Sequence, residues 1–243
     1  MSTRSVAPPV NVADARTYPD PLDDAVPVVS LDVECVATGP KHHDRSVAQI
    51  AVVCARTERV LCDVFVKQTK EVRSYLTPLT GIDKETLETR GIPLDEALER
   101  VRSVLGPRHV VVGQGVLKDV EEWLGLTRGV DYGDLIEMTG IWRVWNERYG
   151  SWSVFSQDHL VRCLLATEVS STHDAAGDCV KSIRLFRLFH RLLTNDAEGL
   201  AAARAKLLAI APEPSFSKRF PIFEGVCQGG RTCSCGAATF FSS

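Results

Sequence analysis

Eight residues near the start of the chain, Val28-Val29-Ser30-Leu31-Asp32-Val33-Glu34-Cys35, restrict its fold more than any other stretch. Val28, Val29, Leu31 and Val33 make a near-continuous apolar run, the pattern of a central strand covered on both faces rather than of a half-wet edge. Side chains two apart on a strand share a face, so Asp32 and Glu34 stand side by side. Two adjacent carboxylates repel each other unless one is protonated or a cation lies between them. For hard oxygen ligands the simplest cation is Mg²⁺ or Mn²⁺. Alone, the pair is equally a solvated edge face or a loop end, and the rest of the chain has to decide.

With 243 residues, 44% of them hydrophobic, the chain can bury one sizeable core and carry a small appendage. A formal net charge of -3 gives no global basic signature. Any contact with nucleic acid would be local, its positive charge supplied by a patch or by bound metal ions. Cys35, Cys54, Cys62, Cys163 and Cys179 lie in apolar patterns and read as reduced core residues. Pro8, Pro9, Pro19 and Pro21 sit among Asp and Ala without an apolar signal-peptide core, and no stretch has the length of a membrane helix. The expectation is a soluble intracellular protein, cytoplasmic or nuclear, with no membrane partner.

The pattern divides the chain into a flexible N-terminal arm over residues 1–25, a body over 26–211, and a Cys- and Gly-containing C-terminal tail over 212–243. Three β-branched runs, Val28 to Val33, Val47 to Ala55 and Arg59 to Val66, read as an antiparallel meander. Helices are expected over Lys84 to Thr89 and Leu94 to Leu105, separated by Gly91 and Pro93. His109 to Val112 is a short buried strand that Gly113 and Gly115 turn into an amphipathic segment, Val116 to Leu124. Further helices are expected over Gln157 to Ala166, His173 to Leu193 and Glu198 to Ile210, the second capped by Ser170, Ser171, Thr172 or Asp174. The fold class is α/β, a mixed central sheet flanked by helices.

Three more residues join the first pair. Asp119 follows the glycine turn, so its carboxylate faces the carboxyl ends of the strands, where open α/β sheets put their ligands. Asp178 lies five residues after His173 on the long helix, near it in space. Each is ordinary separately: Asp119 has Glu121 and Glu122 beside it, and a His at a helix start is often only a neighbour of the cap.

The order and wording of these motifs resemble the DEDDh exonuclease superfamily, of ribonuclease H-like fold. The motifs are Leu31-Asp32-Val33-Glu34 with Thr38-Gly39, then Val112-Gly113-Gln114-Gly115-Val116-Leu117-Lys118-Asp119, then His173-Asp174-Ala175-Ala176-Gly177-Asp178. The resemblance covers about residues 28 to 193. Tyr75-Leu76-Thr77-Pro78-Leu79-Thr80-Gly81-Ile82 and His173-Asp174 are most similar to the RNA-directed branch, which includes poly(A) nuclease deadenylases. The resemblance implies a 3′-5′ exonuclease acting on single-stranded RNA (or DNA) 3′ ends and releasing nucleoside 5′-monophosphates. It implies that Asp32, Glu34, Asp119 and Asp178 hold two Mg²⁺ (or Mn²⁺), about 3.5 to 4 Å apart in two-metal sites generally. Asp32 would bridge both ions, Glu34 and Asp178 would complete one site, and Asp119 would act through water at the other. His173 is implied as the general base, with an ordinary pKa of about 6.5 that suits the role.

Departures from the family pattern fall beside the acids. Gln114 stands where relatives carry His or Asn, and Cys35 where they carry an aromatic residue or Thr. Cys35, Val36, Ile82 and Gln114 are therefore the candidate contacts to the terminal nucleotide, with core packing the alternative for Ile82. His42-His43-Asp44 lies in a loop and lacks further ligands for a metal. In the tail, Cys227, Cys233 and Cys235 among Gly229, Gly230 and Gly236 have the glycine-rich turns of a zinc loop, but only three ligands are local and a structural zinc needs four. Cys163 or a histidine of the body would have to complete a Zn²⁺ site; a free tail and a disulfide are the alternatives. Arg187, Arg191, Lys206, Lys218, Arg219 and Arg231, interleaved with Phe216, Phe220 and Phe223, make either a path for single-stranded nucleic acid or solvated helix faces. The competing function is a catalytically silent nucleic-acid-binding or adaptor module of the same fold, its protein partners unknown.

Overall fold

The structure, a computed structural model, describes residues 9–165, 167, 172–230 and 233–235. Strands β1 (Val28–Ala37), β2 (Arg45–Cys54) and β3 (Val60–Phe65) form the expected meander. A short helix α1 (Thr77–Thr80) and helices α2 (Lys84–Arg90) and α3 (Leu94–Val104) lead to β4 (Val110–Gly113), a π-helical turn (Lys118–Trp123) and β5 (Asp134–Glu137). Helix α4 (Met138–Trp142) precedes the hairpin β6 (Val144–Asn146) and β7 (Ser151–Ser153). Then come α5 (Gln157–Leu160), which runs into a second π-helical turn (Val161–Leu165), and the long helices α6 (Ala175–Asn195) and α7 (Ala197–Ala209). The C-terminal segment forms α8 (Phe216–Arg219) and a two-strand hairpin, β8 (Ile222–Phe223) and β9 (Val226–Cys227).

Among the described residues the main sheet has the order β3-β2-β1-β4-β5. β1 is antiparallel to β2 and parallel to β4, and β4 is parallel to β5, so the expected mixed sheet of ribonuclease H-like kind is the one observed. The unbroken apolar runs are explained by layers on both sides. Ala51 and Val53 of β2 pack with Ile183, Phe186 and Phe189 of α6, whereas the alternating Ile50 and Val52 pack with Ala97 and Val101 of α3. A strand with a core on each face has no polar side to show. Asp32 pairs with Ala51 across the β1–β2 ladder; by the two-residue alternation Asp32 and Glu34 therefore face the α6 layer. The ladder shifts register between Glu34 and Cys35, a bulge that re-aims the strand just beyond the acid pair.

Four expectations are corrected. The segment from Asn11 to Tyr18 is packed, not a flexible arm. Tyr18 is 8% exposed and meets Phe186 and Phe189 edge to face, its ring 6.1 and 5.4 Å from theirs. Arg204 grips both oxygens of Asp14 at 2.6 and 2.7 Å, and Asn11 donates to the carbonyl of Gly140 and accepts from Arg143. Three anchors hold a segment whose composition is that of a linker. The strand β5 and the hairpin β6–β7 form where no strand is expected, since four- and three-residue strands leave no measurable alternation. Helix Val116 to Leu124 is largely a π turn. The tail is not wholly irregular, since it forms the β8–β9 hairpin. The remaining helices lie within two residues of expectation, with Asp174 as the cap of α6; Ala166, Ser170 and Ser171 lie outside the described residues.

Candidate active site

Each acid is delivered by a different device. The chain leaves β4 at Gly113, where a Cβ would lie 2.9 Å from the Leu31 carbonyl oxygen and 3.0 Å from the Val116 Cβ, so only glycine lets the turn pass this close to β1. Gly115 follows with φ +77°, and its N–H donates to Glu137 Oε1 at 2.9 Å, which ties the turn to the end of β5. The π turn then closes from the Leu124 N–H to the Asp119 carbonyl at 3.1 Å. The wider coil leaves Asp119 buried beside the strand ends, and such turns recur at functional sites.

At α6 the cap does the positioning. Asp174 accepts from the Gly177 N–H at 2.9 Å, as an N-cap does, and from Gln49 Nε2 at 3.1 Å. Gln49 also donates to Asp63 at 2.8 Å and faces the Ala175 N–H at 3.5 Å. This buried glutamine of β2 locks the start of α6 onto the sheet. The His173 N–H donates to the Leu79 carbonyl at 2.6 Å. Gln157 Nε2 donates to the Asp178 carbonyl and to Ser182 Oγ, both at 2.9 Å, which ties α5 to α6.

The result is a cleft of about 520 Å³ whose lining includes Asp32, Glu34, Gln114, Asp119, Phe155, Asp158, His173 and Asp178. The five residues singled out as catalytic candidates meet there. Burial pushes the carboxyl of Asp32 well up, and the neighbouring charges of Glu34, Asp119 and Asp178 add to it. Burial, with Asp178 nearby, raises Glu34 to about 8; burial, with Glu137 nearby, raises Asp119 to about 8. Asp178 is the exception. Burial alone would raise it, but hydrogen bonds from His173 Nδ1 at 2.8 Å and Lys181 Nζ at 2.7 Å outweigh that and hold it low. His173 is raised to about 10 by its bonds to Asp158 and Asp178, its Nε2 lying 3.5 Å from Asp158 Oδ2.

Acids that would rather keep their protons than ionise together are a ready cation site. Ligand atoms of Glu34, His173 and Asp178 lie within 4.8 Å of one another, and the oxygen-rich donor set suits a hard divalent ion.

The candidate nucleotide contacts divide. Gln114 lines the cleft, its Nε2 donating to the Phe155 carbonyl at 3.1 Å. Val36 and Ile82, 0% and 2% exposed, pack with Ala48 and Leu87 in a small core. They are core residues with almost no surface to offer a ligand. Cys35 is half-buried, its thiol pushed up by burial, and is not part of the lining. Sequence reasoning passes over Asp158, Lys181 and Gln49. Asp158 carries no spacing signal, whereas Lys181 lies three residues after Asp178 on the same helix, and Gln49 interrupts the apolar run of β2 and was visible as a polar residue where none belongs.

The sequence model of the RNase_T exonuclease family matches residues 29–186, the segment that carries all five residues. The chain belongs to the RNase_T exonuclease family. A search of curated protein sequences finds no match. Among solved structures, this RNase_T domain is similar to the Neurospora crassa Pan2 catalytic unit (protease and nuclease domain), with a TM-score of 0.61 and 18% identity over 81% of this chain and 31% of that one. It is similar to the Saccharomyces cerevisiae Pan2 pseudoubiquitin hydrolase-RNA exonuclease module in complex with AAGGAA RNA (TM-score 0.63, 17% identity, 76% of this chain and 33% of that one). The same module with A7 RNA matches with a TM-score of 0.63 at 16% identity, over 76% and 33% of the two chains. The chain thus spans about a third of the length of the solved proteins it matches, and at these identities the likeness is one of fold. The mixed sheet with its flanking helices is the ribonuclease H-like arrangement those structures share.

Proposed function

We propose that this RNase_T domain is a metal-dependent 3′-5′ exonuclease that hydrolyses the terminal phosphodiester of single-stranded RNA and releases nucleoside 5′-monophosphates. The observation that carries the reading is the convergence of Asp32, Glu34, Asp119, Asp178 and His173 on one cleft, with three of the acids raised first by burial and then by neighbouring carboxylates. The four carboxylates would hold two Mg²⁺ or Mn²⁺. Bound there, the ions would activate a water and stabilise the departing 3′ oxygen. His173, charged between Asp158 and Asp178, cannot accept a proton as it stands. With a cation held by Asp178, the imidazole would lose part of that partner's charge and its pKa would fall, Asp158 remaining its main partner, so that His173 could act as general base toward water. Lys181, already on Asp178, keeps that carboxylate ionised. Gln114, held by the Phe155 carbonyl, sits at the cleft wall where the terminal nucleotide would lie. RNA is favoured because solved structures of similar fold contain RNA oligonucleotides.

The test offers 5′-labelled single-stranded RNA and DNA of one sequence, with free and blocked 3′ ends. The expected result is stepwise shortening of the free-ended RNA, abolished by EDTA, by Asp32→Ala and by His173→Ala. Unchanged activity in both variants would sink the mechanism. Tight binding without turnover in Mg²⁺ or Mn²⁺ would make the chain a silent binding module.

A further inference from the structure

A second group of ligating side chains, different in chemistry from the carboxylates, converges elsewhere in the fold. His42, in the connection between β1 and β2, meets the three cysteines of the C-terminal segment. Its Nδ1 lies 3.2 Å from Cys233 Sγ and 3.1 Å from Cys235 Sγ. Cys233 Sγ lies 3.5 Å from Cys227 Sγ and 3.1 Å from Cys235 Sγ, and all four ligand atoms fall within 4.8 Å of one another. A tetrahedral zinc with Zn–S of about 2.3 Å and Zn–N of about 2.0 Å separates its ligand atoms by roughly 3.5 to 3.8 Å. The group is close to that size, and three sulfurs with one imidazole nitrogen are the donor set zinc takes in structural sites.

We propose that His42, Cys227, Cys233 and Cys235 bind one zinc ion that fastens the C-terminal segment to the β1–β2 connection. The fourth ligand, which the local spacing of the cysteines does not supply, comes from the body of the fold.

The surroundings are built for it. The Gly229 N–H points at Cys227 Sγ at 3.4 Å, the kind of donor that steadies a thiolate ligand. Gly229 has φ +78° and a Cβ there would lie 3.7 Å from the His42 ring, so the turn between the first and second cysteines takes a left-handed backbone directly against the imidazole. Cys227 is itself set by backbone, its N–H donating to the Pro40 carbonyl at 2.8 Å. Arg45 Nη2 donates to the Cys227 carbonyl at 3.2 Å, placing a cation beside a site whose three thiolates and one Zn²⁺ leave a net negative charge. A disulfide accounts for less. It would draw two sulfurs to about 2.05 Å and leave the third cysteine and His42 converging on nothing.

The proposal is independent of the nuclease reading, and its test does not depend on activity. Full-length protein purified with a reductant and without chelator should contain about one zinc per chain by elemental analysis, with four-coordinate sulfur-rich zinc by X-ray absorption. Replacing zinc by Co²⁺ should give the intense visible bands and near-ultraviolet sulfur-to-metal charge transfer of a tetrahedral thiolate site. His42→Ala and Cys235→Ser should each lose the zinc. Asp32→Asn, which alters the carboxylate cleft, should keep it and so distinguishes this site from metal held there. Protein without zinc under reducing conditions, an octahedral oxygen-ligated cobalt spectrum in the wild type, or zinc retained by both His42→Ala and Cys235→Ser would overturn the proposal. The cobalt spectrum decides even if a variant fails to fold.

Discussion

Asp32 sits where three other carboxylates can feel its charge, and its cost shows in stability before it shows in rate. In the metal-free protein Glu34 and Asp119 are raised to about 8 and Asp32 is raised well up, against about 4 for exposed carboxyls. Between those values the folded state binds more protons than the unfolded one, so stability is full at low pH and falls as pH rises toward 8. Asp32→Asn should therefore raise the melting temperature in EDTA at pH 8, by about 2 to 8 °C for a gain of about 1–2 kcal/mol, and by less at pH 5. Nuclease activity in the same variant should fall at least about 100-fold. A melting temperature that does not move, or that moves equally at both pH values, contradicts the crowding described. His173 gives a second residue-level test. Because Asp158 is the largest cause of its raised pKa, ahead of Asp178, Asp158→Asn should lower the midpoint of the His173 imidazole resonance in a metal-free NMR titration. A midpoint that stays near 10 would place the control on Asp178 alone. The acids and His173 were readable in the sequence because their spacing is local to three motifs, whereas Asp158 was not: its relation to His173 exists only after α5 has folded against α6.

Between elements, the fittings are single polar or absent side chains. Gln49 joins β2 to the cap of α6 and to Asp63, so Gln49→Ala leaves two carboxylates short of a donor and should cost about 1–3 kcal/mol in a denaturant titration. It should also lower activity, since Asp178 and His173 lose the element that seats them. An unchanged denaturation midpoint would mean the cap holds without it. Gly113→Ala, which drives a methyl to 2.9 Å from the Leu31 carbonyl, should cost a similar amount, about 1–3 kcal/mol, and should disturb Asp119 through the turn that follows. The elements read best from sequence were those with a sustained period, β1 to β3 and the helices α3, α6 and α7. β5, with one fully buried residue in Asp-Leu-Ile-Glu, owes its existence to the neighbour it pairs with, which no local pattern reports. The burial of Val36 and Ile82 was not legible for a related reason: proximity in sequence to a functional motif does not say whether a side chain reaches the surface.

Taken whole, the molecule is a sheet between two cores, and the α6 layer is shared by the cleft and by the N-terminal segment. Tyr18→Ala should cost about 3 kcal/mol through the hole left against Phe186 and Phe189, measured by equilibrium unfolding, and should leave the carboxylate geometry intact. A loss of activity at temperatures where the variant is folded would instead tie the segment to the site. The contact has a further consequence, in time rather than in energy. Tyr18 is made about 170 residues before Phe189, and at roughly 5–20 residues per second the ribosome delivers the partner on the order of ten to thirty seconds later. Through that interval the Tyr18 segment lacks the two rings it packs against. Nascent chains stalled before Phe186 should present it to added protease, and chains released past α6 should not. Helix α6 thus closes over a segment made long before it, and the core around Tyr18 cannot complete itself until α6 exists.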